Sequence, residues 1–581
     1  MKFNNAAMTI VTTAAMACTV SAQQAAAQAV KETKEEAGKK TAAKVTRPNF
    51  ITILLDDVGF SDIGPFGSEV PTPNIDALAK KGAVLTNFYA SPTSTPSRSM
   101  LFTGKDNHAV GAGNMEGYLR PEQRGKPGYE GILSLDALPY QQVMKDNGYE
   151  TMLVGKWDLG LKPGYDPIER GFTATFALLP GGDMHYSEKD GTLIRTDPPE
   201  KIKGSPYSVN GKPLPKFPRE FYSTNYYTDM ALELLKKRDT TKPFALNLCY
   251  TAAHAPLQAP AEVTAKYLPV YAKGWDVLRQ ERFDRQKAAG IWPANAVLPP
   301  RNEDVAAWDS LTPEQQKLEV KAMAVYAAMI DTVDQNIGRL LEYLKESGQY
   351  EDTVIFLMSD NGGATGASAL SNPAKMDYLK KAFDMGYDNM GNRNSYVGYS
   401  RGWSMLSNTP LNMYKGDSFD GGIRTLGLVS YPKAPALGIK SNCLTSIMDI
   451  APTIIELANI TYPDTYQGKP NKPMQGVSMA PLLKGLPYCD PERWLGWEMD
   501  GLKAFRKGNW KLSQHWDFAT SCYDPEWHLF NLGNDPYERN DLAKTEPQKL
   551  QEMTALYQRY AEENGVIDVP NCPPTGGAGG E

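Results

Sequence analysis

The sequence predicts an α/β protein: a large mixed sheet flanked by helices, followed by a smaller antiparallel sheet. Three observations carry that prediction. Apolar, partly β-branched runs at Phe50–Leu55, Pro243–Cys249 and Thr353–Met358 have the length and texture of strands buried on both faces. Helical patterns alternate with such runs, which is the rhythm of layered α/β domains. From about residue 486 the chain changes to short aromatic pieces of alternating polarity, such as Lys503–Leu512, which suit a small antiparallel sheet.

The elements follow in order. Met1-Lys2-Phe3 and the apolar run from Ala6 to Val20 read as a signal peptide over 1–22, with Val20-Ser21-Ala22 as the cleavage site. Cys18 raises a lipoprotein signal as the lesser alternative, because Ala15-Met16-Ala17 lacks the usual leucine. Residues 23–47, rich in Ala, Lys and Glu without an apolar stripe, read as a flexible leader. A catalytic domain spans 48–485. Within it the spacing predicts a helix capped by Thr72, with Pro73 in its first turn and Gly82 just past its end. A helix over Leu138–Asn147 leads into a strand at Glu150–Val154, Ala245–Tyr250 is a further strand, and a helix over Val320–Glu346 precedes Thr353. Residues 486–564 form the small antiparallel sheet region, and the Pro- and Gly-rich residues 565–581 a loose tail.

Composition excludes several function classes. The 61 basic and 67 acidic residues give a formal charge of -6, against the basic excess of nucleic-acid binders. After residue 22 nothing approaches the ~20 apolar residues of a membrane span, so an exported, soluble, periplasmic protein is expected. With Cys18 removed, Cys249, Cys443, Cys489, Cys522 and Cys572 contain no CxxC pair, which argues against zinc or redox motifs. Cys249 reads as a buried small hydrophobe. An oxidising compartment permits a disulfide among Cys489, Cys522 and Cys572.

Candidate chemistry gathers at strand ends. Asp56-Asp57 follows the first strand and Asp360-Asn361-Gly362-Gly363 follows another. Neighbouring residues within a strand point to opposite faces, so paired acids converge on one ion only where the strand ends and the chain turns. Three carboxylates and an amide are all oxygen donors, which favours a hard cation, Ca²⁺ before Mg²⁺. Arg98 sits four residues after Ser94, near the start of a helix over Ser97–Thr103, whose positive end favours anions. Lys156 follows a strand in Gly155-Lys156-Trp157-Asp158-Leu159-Gly160, and Lys415 precedes Asp420-Gly421-Gly422. His254 lies in a Pro-rich loop just beyond a strand, a suitable place for a general acid. His108, His185, His515 and His528 have weaker local cases.

The segment Ser94-Thr95-Pro96-Ser97-Arg98, running on to Thr103-Gly104, resembles the signature of type I sulfatases, in the alkaline phosphatase superfamily. Asp56-Asp57-Val58-Gly59-Phe60-Ser61-Asp62, Thr72-Pro73-Asn74-Ile75-Asp76, Ser359-Asp360-Asn361-Gly362, Asp449-Ile450-Ala451-Pro452-Thr453 and Leu529-Phe530-Asn531-Leu532 extend the resemblance from about Asn49 to about residue 560, nearest to bacterial arylsulfatases. It implies a sulfuric ester hydrolase in which Ser94 is oxidised to formylglycine, whose hydrate attacks sulfur. Asp56, Asp57, Asp360, Asn361 and residue 94 would bind one Ca²⁺. Arg98 and Lys156 would hold residue 94, while Lys415 and His254 would bind sulfate and assist the leaving oxygen. The site would stay net positive on an acidic protein. Maturation of a serine, not a cysteine, implies a radical-type maturase acting before export. The substrate would be a small-molecule or glycan sulfate ester, an aryl ester first.

One position departs from the family pattern, which reads Gly-Lys-Trp-His-Leu-Gly where this chain has Asp158. A carboxylate also accepts a proton and stays ionised to lower pH, given reference pKa values of about 4 for Asp and about 6.5 for His. Asp158 is therefore expected to replace the histidine as base. Two other functions stay open: a phosphodiester or phosphonate monoester hydrolase of the same superfamily, and an inactive sulfated-glycan binding protein. Loops 183–222 and 364–407 are expected to shape the pocket.

Overall fold

Strand β1 (Asn49–Leu55) is apolar on both sides because it sits between two cores. Phe50 and Leu54 enter one core; Ile51, Ile53 and Leu55 enter the other. A computed structural model describes residues 47–194, 205–365, 373–435, 438–517 and 522–572. The expected signal peptide, Cys18 and nearly all of the leader lie outside the described residues.

β1 belongs to a ten-stranded sheet with β2 (Gly82–Leu85), β3 (Glu150–Lys156), β4 (Ala174–Leu178), β5 (Tyr207–Val209), β6 (Lys212–Pro213), β7 (Phe244–Cys249), β8 (Thr353–Ser359), β9 (Gly427–Ser430) and β10 (Ile439–Ser441). The spatial order is β10-β2-β9-β8-β1-β7-β3-β4-β5-β6. β8, β1, β7, β3 and β4 run parallel, whereas β9 is antiparallel to β8 and β2. The sheet is therefore mixed, as the sequence predicts. Its parallel strands present their carboxyl ends together, the place where such sheets bind ligands.

Helices cover both faces. α1 (Pro73–Lys80), α4 (Ser223–Lys237), α5 (Ala261–Tyr271), α6 (Gly274–Ala288) and α7 (Pro313–Glu346) lie on the side of Ile51 and Ile53; α2 (Ser94–Thr103), α3 (Tyr140–Asp146) and α8 (Ile450–Leu457) lie on the side of Phe50 and Leu54. α1 starts at Pro73 after Thr72 but is closed by Lys81, and Gly82 opens β2. α7 begins at Pro313, ahead of the expected Val320, because a capping box of Thr312 and Gln315 satisfies its first backbone donors. β3 runs on to Lys156, β7 spans Phe244–Cys249, and α2 starts at Ser94.

The C-terminal region is an antiparallel sheet of β11 (Trp494–Met499), β12 (Leu502–Lys507), β13 (Trp510–Ser513) and β14 (His528–Asn531), covered by an unforeseen helix, α9 (Pro547–Asn564). Met553, Tyr557 and Tyr560 of α9 pack on Phe505, Leu512 and Leu529. Leu495, Trp497 and Ala504 join the main core, and Pro48–Glu581 forms one compact unit. Two disulfides brace it. Cys522 pairs with Cys572, but Cys489 pairs with Cys443, which the sequence reading left outside the bonding set. Cys249 is free and buried. Residues 565–572 are not loose: Ile567 N donates to Tyr129 at 3.0 Å and Tyr523 N to Asn571 O at 2.8 Å, beside the Cys572 bridge. Residues 573–581 lie outside the described residues. Among the described residues no helix is long and apolar enough to cross a membrane.

Candidate active site

The site forms where β1, β3, β7 and β8 end. Leu55 and Ser359 are register partners on parallel strands, so the acidic residues that follow each emerge side by side. Asp57 takes φ +59, a left-handed conformation that Asp tolerates, and the chain turns there. The turn lets both Asp56 and Asp57 face one pocket instead of opposite sides of a strand. Asn361 Nδ2 donates to Asp57 Oδ1 at 2.8 Å, and Asp57 N lies 3.4 Å from Asp360 Oδ1. Close packing fixes this corner: a Cβ on Gly362 would fall 1.8 Å from Gly421 O.

Ser94 is the first residue of α2 and is fully buried. Its Oγ lies 3.3 Å from Asp56 Oδ1, 3.4 Å from Asn361 Oδ1 and 3.2 Å from Lys156 Nζ. Arg98, one helical turn later, shares the Ser94 face. Its Nε and Nη2 donate to Asp360 Oδ2 at 3.1 and 2.9 Å, and its Nη1 to Lys156 O at 3.0 Å. Lys156 ends β3, and its Nζ donates to Asp56 Oδ2 at 2.9 Å. That strand approaches β7 so closely at Gly155, φ +104, that a Cβ would meet Cys249 O at 1.9 Å. Trp157 points away and packs on Phe102 and Phe172 with centroids 5.2 and 5.9 Å apart. The next residue, Asp158, takes φ +58; its Oδ2 accepts from Thr95 Oγ1 at 3.1 Å and lies 3.8 Å from Lys156 Nζ.

Lys415 and His254 close the opposite side. Lys415 Nζ is 2.9 Å from Asp57 Oδ1, and His254 Nε2 is 3.7 Å from Asp57 Oδ2. His254 Nδ1 lies 2.6 Å from Ala255 O; a carbonyl only accepts, so Nδ1 carries the hydrogen and Nε2 faces the site. All ten catalytic and metal-site residues singled out in the sequence thus converge, from three strand ends, one helix start and two loops.

Burial opposes charge throughout this cluster, but partners overcome it. Lys156, His254 and Arg98 hold the Asp56 carboxyl below its ordinary range, and Lys415 and His254 do the same for Asp57. Burial likewise opposes the Lys156 ammonium, yet Asp56 holds its pKa above the ordinary lysine value. Buried carboxylates from two strand ends, joined by an amide oxygen and a hydroxyl, are a hard-cation donor set. The residues therefore fit a Ca²⁺-type ion. Asp56, Asp57 and His254 alone also bring three ligand atoms within 4.8 Å. The oxygens of Asp360, Asn361 and Ser94 on the same corner favour the all-oxygen set.

Some contributors had little or no sequence signal. His185 is buried with Nδ1 2.7 Å from Ser223 Oγ and Nε2 3.0 Å from the carbonyl of His254. Burial pushes it down to about 4, so it is neutral and braces the His254 loop. Asn408 Oδ1 accepts from Gly363 N at 2.9 Å, fixing the turn after Asn361. Of the loops expected to shape the pocket, 183–222 supplies His185 against the His254 carbonyl, and in 364–407 Val397 O accepts from Leu257 N at 2.8 Å. Residues 195–204 and 366–372 of those loops lie outside the described residues. His108 is elsewhere, buried between Asp106 and Glu498.

A mixed sheet whose parallel strands end in clustered acidic residues, a helix-start hydroxyl and cationic side chains is an α/β fold with a combined cation and anion site at its strand ends. Residues 48–460 match the sulfatase family model. The chain is 37% identical over 536 residues to an uncharacterised sulfatase of Schizosaccharomyces pombe, covering 91% of this chain and 96% of that one. It is 38% identical over 453 residues to an arylsulfatase of Klebsiella aerogenes, covering 77% and 94%. Among solved structures, Ps i-CgsB in complex with k-i-k-neocarrahexaose aligns with a TM-score of 0.61 at 26% identity, covering 89% of this chain and 94% of that one. The chain belongs to the sulfatase family, whose members are sulfuric ester hydrolases.

Proposed function

We propose that the protein is an exported arylsulfatase that uses a formylglycine made from Ser94 and one Ca²⁺ held by Asp56, Asp57, Asp360, Asn361 and the residue 94 oxygen. The observation that carries this reading is the position of Ser94 Oγ, within 3.4 Å of Asp56, Asn361 and Lys156 at the start of a helix. The ion would supply positive charge next to the sulfate oxygens. Oxidation of the Ser94 side chain to an aldehyde would supply, once hydrated, two hydroxyls on one carbon, one to attack sulfur and one to help expel sulfate.

The chain's own residues supply the rest. Arg98 and Lys156 hold residue 94 and neutralise Asp360 and Asp56, so the nucleophile and the carboxylates stay packed without net repulsion. Lys415 and His254 face the side where a sulfate ester would enter. His254 Nε2, the nitrogen left free by the Nδ1 bond, is placed to give a proton to the departing oxygen when the ring carries a second proton, Nδ1 keeping its hydrogen on Ala255 O. Asp158, beside Lys156 and Thr95, is the candidate base where the family pattern has histidine. The Klebsiella relative motivates aryl esters first, and the carrageenan-oligosaccharide complex of Ps i-CgsB motivates sulfated glycans as the next class. A radical-type maturase before export and a periplasmic location complete the reading.

The test compares turnover of an aryl sulfate, a sulfated oligosaccharide and an aryl phosphonate ester, each before and after chelation and Ca²⁺ readdition. The account expects aryl sulfate turnover that chelation abolishes and Ca²⁺ restores. Faster turnover of the phosphonate, or sulfate binding without turnover, would replace it with one of the two alternative functions.

A further inference from the structure

A second cluster of metal-ligating side chains lies in the C-terminal sheet region, away from the strand-end site. His515, Asp524 and His528 each offer one ligand atom, all within 4.8 Å of one another. Three features distinguish the cluster from ordinary surface polarity. His515 Nδ1 is buried and has no hydrogen-bond partner among the described residues, an expensive state for an imidazole nitrogen.

His528 is oriented from behind. Its Nδ1 is 3.0 Å from Asp541 Oδ2, and Asp541 is itself fixed by Leu529 N and Ala543 N, each donating to Oδ1 at 2.9 Å. A carboxylate behind one imidazole nitrogen is the arrangement that presents the other to a metal. That other nitrogen, Nε2, lies 3.1 Å from Asp524 Oδ2. With metal–ligand bonds of about 2.0–2.1 Å, neighbouring ligands around a tetrahedral ion stand about 3.3 Å apart. Asp524 Oδ1 accepts from Glu526 N at 2.9 Å, which turns Oδ2 toward His528.

The backbone is equally tied down. Asp524 N donates to His515 O at 3.0 Å, Trp516 pairs with Tyr523 and Asp517 with Cys522 in antiparallel register, and Cys522 is bridged to Cys572. The side chains of His528 and Asp524 are 21% and 27% exposed, which leaves an entry path and room for a solvent ligand.

We propose that His515, Asp524 and His528 bind one borderline divalent transition-metal ion, Zn²⁺ or Co²⁺ in class, with solvent completing the coordination and Asp541 as the carboxylate behind His528. Two imidazoles and one carboxylate suit such ions and not Ca²⁺. The ion clips the β13–β14 connection to itself. That connection also touches the Lys415 strap, where Trp516 N lies 3.4 Å from Asp417 Oδ2 and the His515 ring 5.7 Å from Phe419.

The test uses the full chain, stripped of metal, reloaded with excess Ca²⁺ and titrated with Co²⁺ and then Zn²⁺. The proposal expects one Co²⁺ equivalent with a tetrahedral visible band that Zn²⁺ displaces. His515→Gln and His528→Gln should each weaken that binding at least tenfold, and Asp541→Asn about tenfold. Zn²⁺ should raise the melting temperature of the parent protein and leave that of His515→Gln unchanged. No Co²⁺ uptake by the Ca²⁺-loaded parent protein overturns the proposal, because the cluster is then only a set of hydrogen-bonded side chains. Uptake that survives in both histidine variants also overturns it. X-ray absorption of the Zn²⁺-loaded parent, which needs no variant to fold, must show two imidazole ligands.

Discussion

The Nζ of Lys156 lies 3.2 Å from Ser94 Oγ while also donating to Asp56 at 2.9 Å. One fully buried ammonium therefore joins the Ser94 hydroxyl to a carboxylate of the strand-end cluster. Lys156→Met removes that partner and leaves Asp56 buried with less compensation, a change that costs about 3–5 kcal/mol for buried ion pairs. The expected result is a lower melting temperature, partly recovered by saturating Ca²⁺, and kcat reduced about 10²–10³-fold. An unchanged melting temperature in Ca²⁺-free buffer would contradict the arrangement.

Asp158 separates base from bystander. With a carboxylate base, activity on an aryl sulfate with a good leaving group persists further into acid than with an imidazole, because the reference pKa values, about 4 and about 6.5, differ by about 2.5. Asp158→His should move the acidic limb of kcat upward, and Asp158→Asn should lower kcat at all pH values. An acidic limb unmoved in Asp158→His would assign Asp158 only to holding Thr95 and Lys156.

His108 provides a stability test remote from the site. Burial disfavours its charged form, but Asp106 and Glu498, 2.8 and 3.0 Å from its two nitrogens, raise its pKa to about 9. The other groups facing it are the rings of Tyr129 and Tyr560. A raised folded pKa means the folded state binds the proton more tightly. The contribution is full below the unfolded value of about 6.5 and disappears as pH rises through about 9. It amounts to about 3 kcal/mol on that basis. The melting temperature should fall between pH 7 and 9.5, and His108→Gln should be less stable at pH 6 with a flatter profile. Parallel profiles for the two proteins would rule the mechanism out.

Lys511 links the C-terminal sheet to the main domain. Its buried Nζ sits 2.7 Å from Asp420 Oδ1 and 2.6 Å from Glu538 Oε1, and Asp420 starts the turn whose Gly421 packs on Gly362. Lys511→Met leaves Asp420 with only Tyr89 at 2.8 Å and Arg424 at 3.5 Å among the described residues and should cost up to about 3–5 kcal/mol. The double change Lys511→Met with Asp420→Asn should recover part of that loss. A double variant no more stable than the single one would show that the pair is not what Lys511 contributes.

How much of this was legible in the sequence follows from what each signal is made of. β1, β7 and β8 were readable because buried parallel strands are uninterrupted apolar runs, and the acidic residues after two of them marked the sheet end. The first turns of α7 were not, since Pro313–Glu319 is polar and only the Thr312–Gln315 box announces it. α9 had an apolar spacing at Leu550, Met553, Tyr557 and Tyr560, hidden among aromatic strand-like pieces. The ten site residues were legible through motif and position. His185 and Asn408 were not, because each acts by bonding a backbone atom far away in sequence. The Cys443–Cys489 bridge depends on tertiary approach, which spacing does not encode.

The central claim is that Ser94 becomes the nucleophile's precursor, and the mass of the tryptic peptide Gly82–Arg98 from protein made in its native host tests it most directly. The account predicts a peptide two hydrogens lighter than the serine form, in proportion to specific activity. An unmodified serine peptide in fully active protein would contradict it.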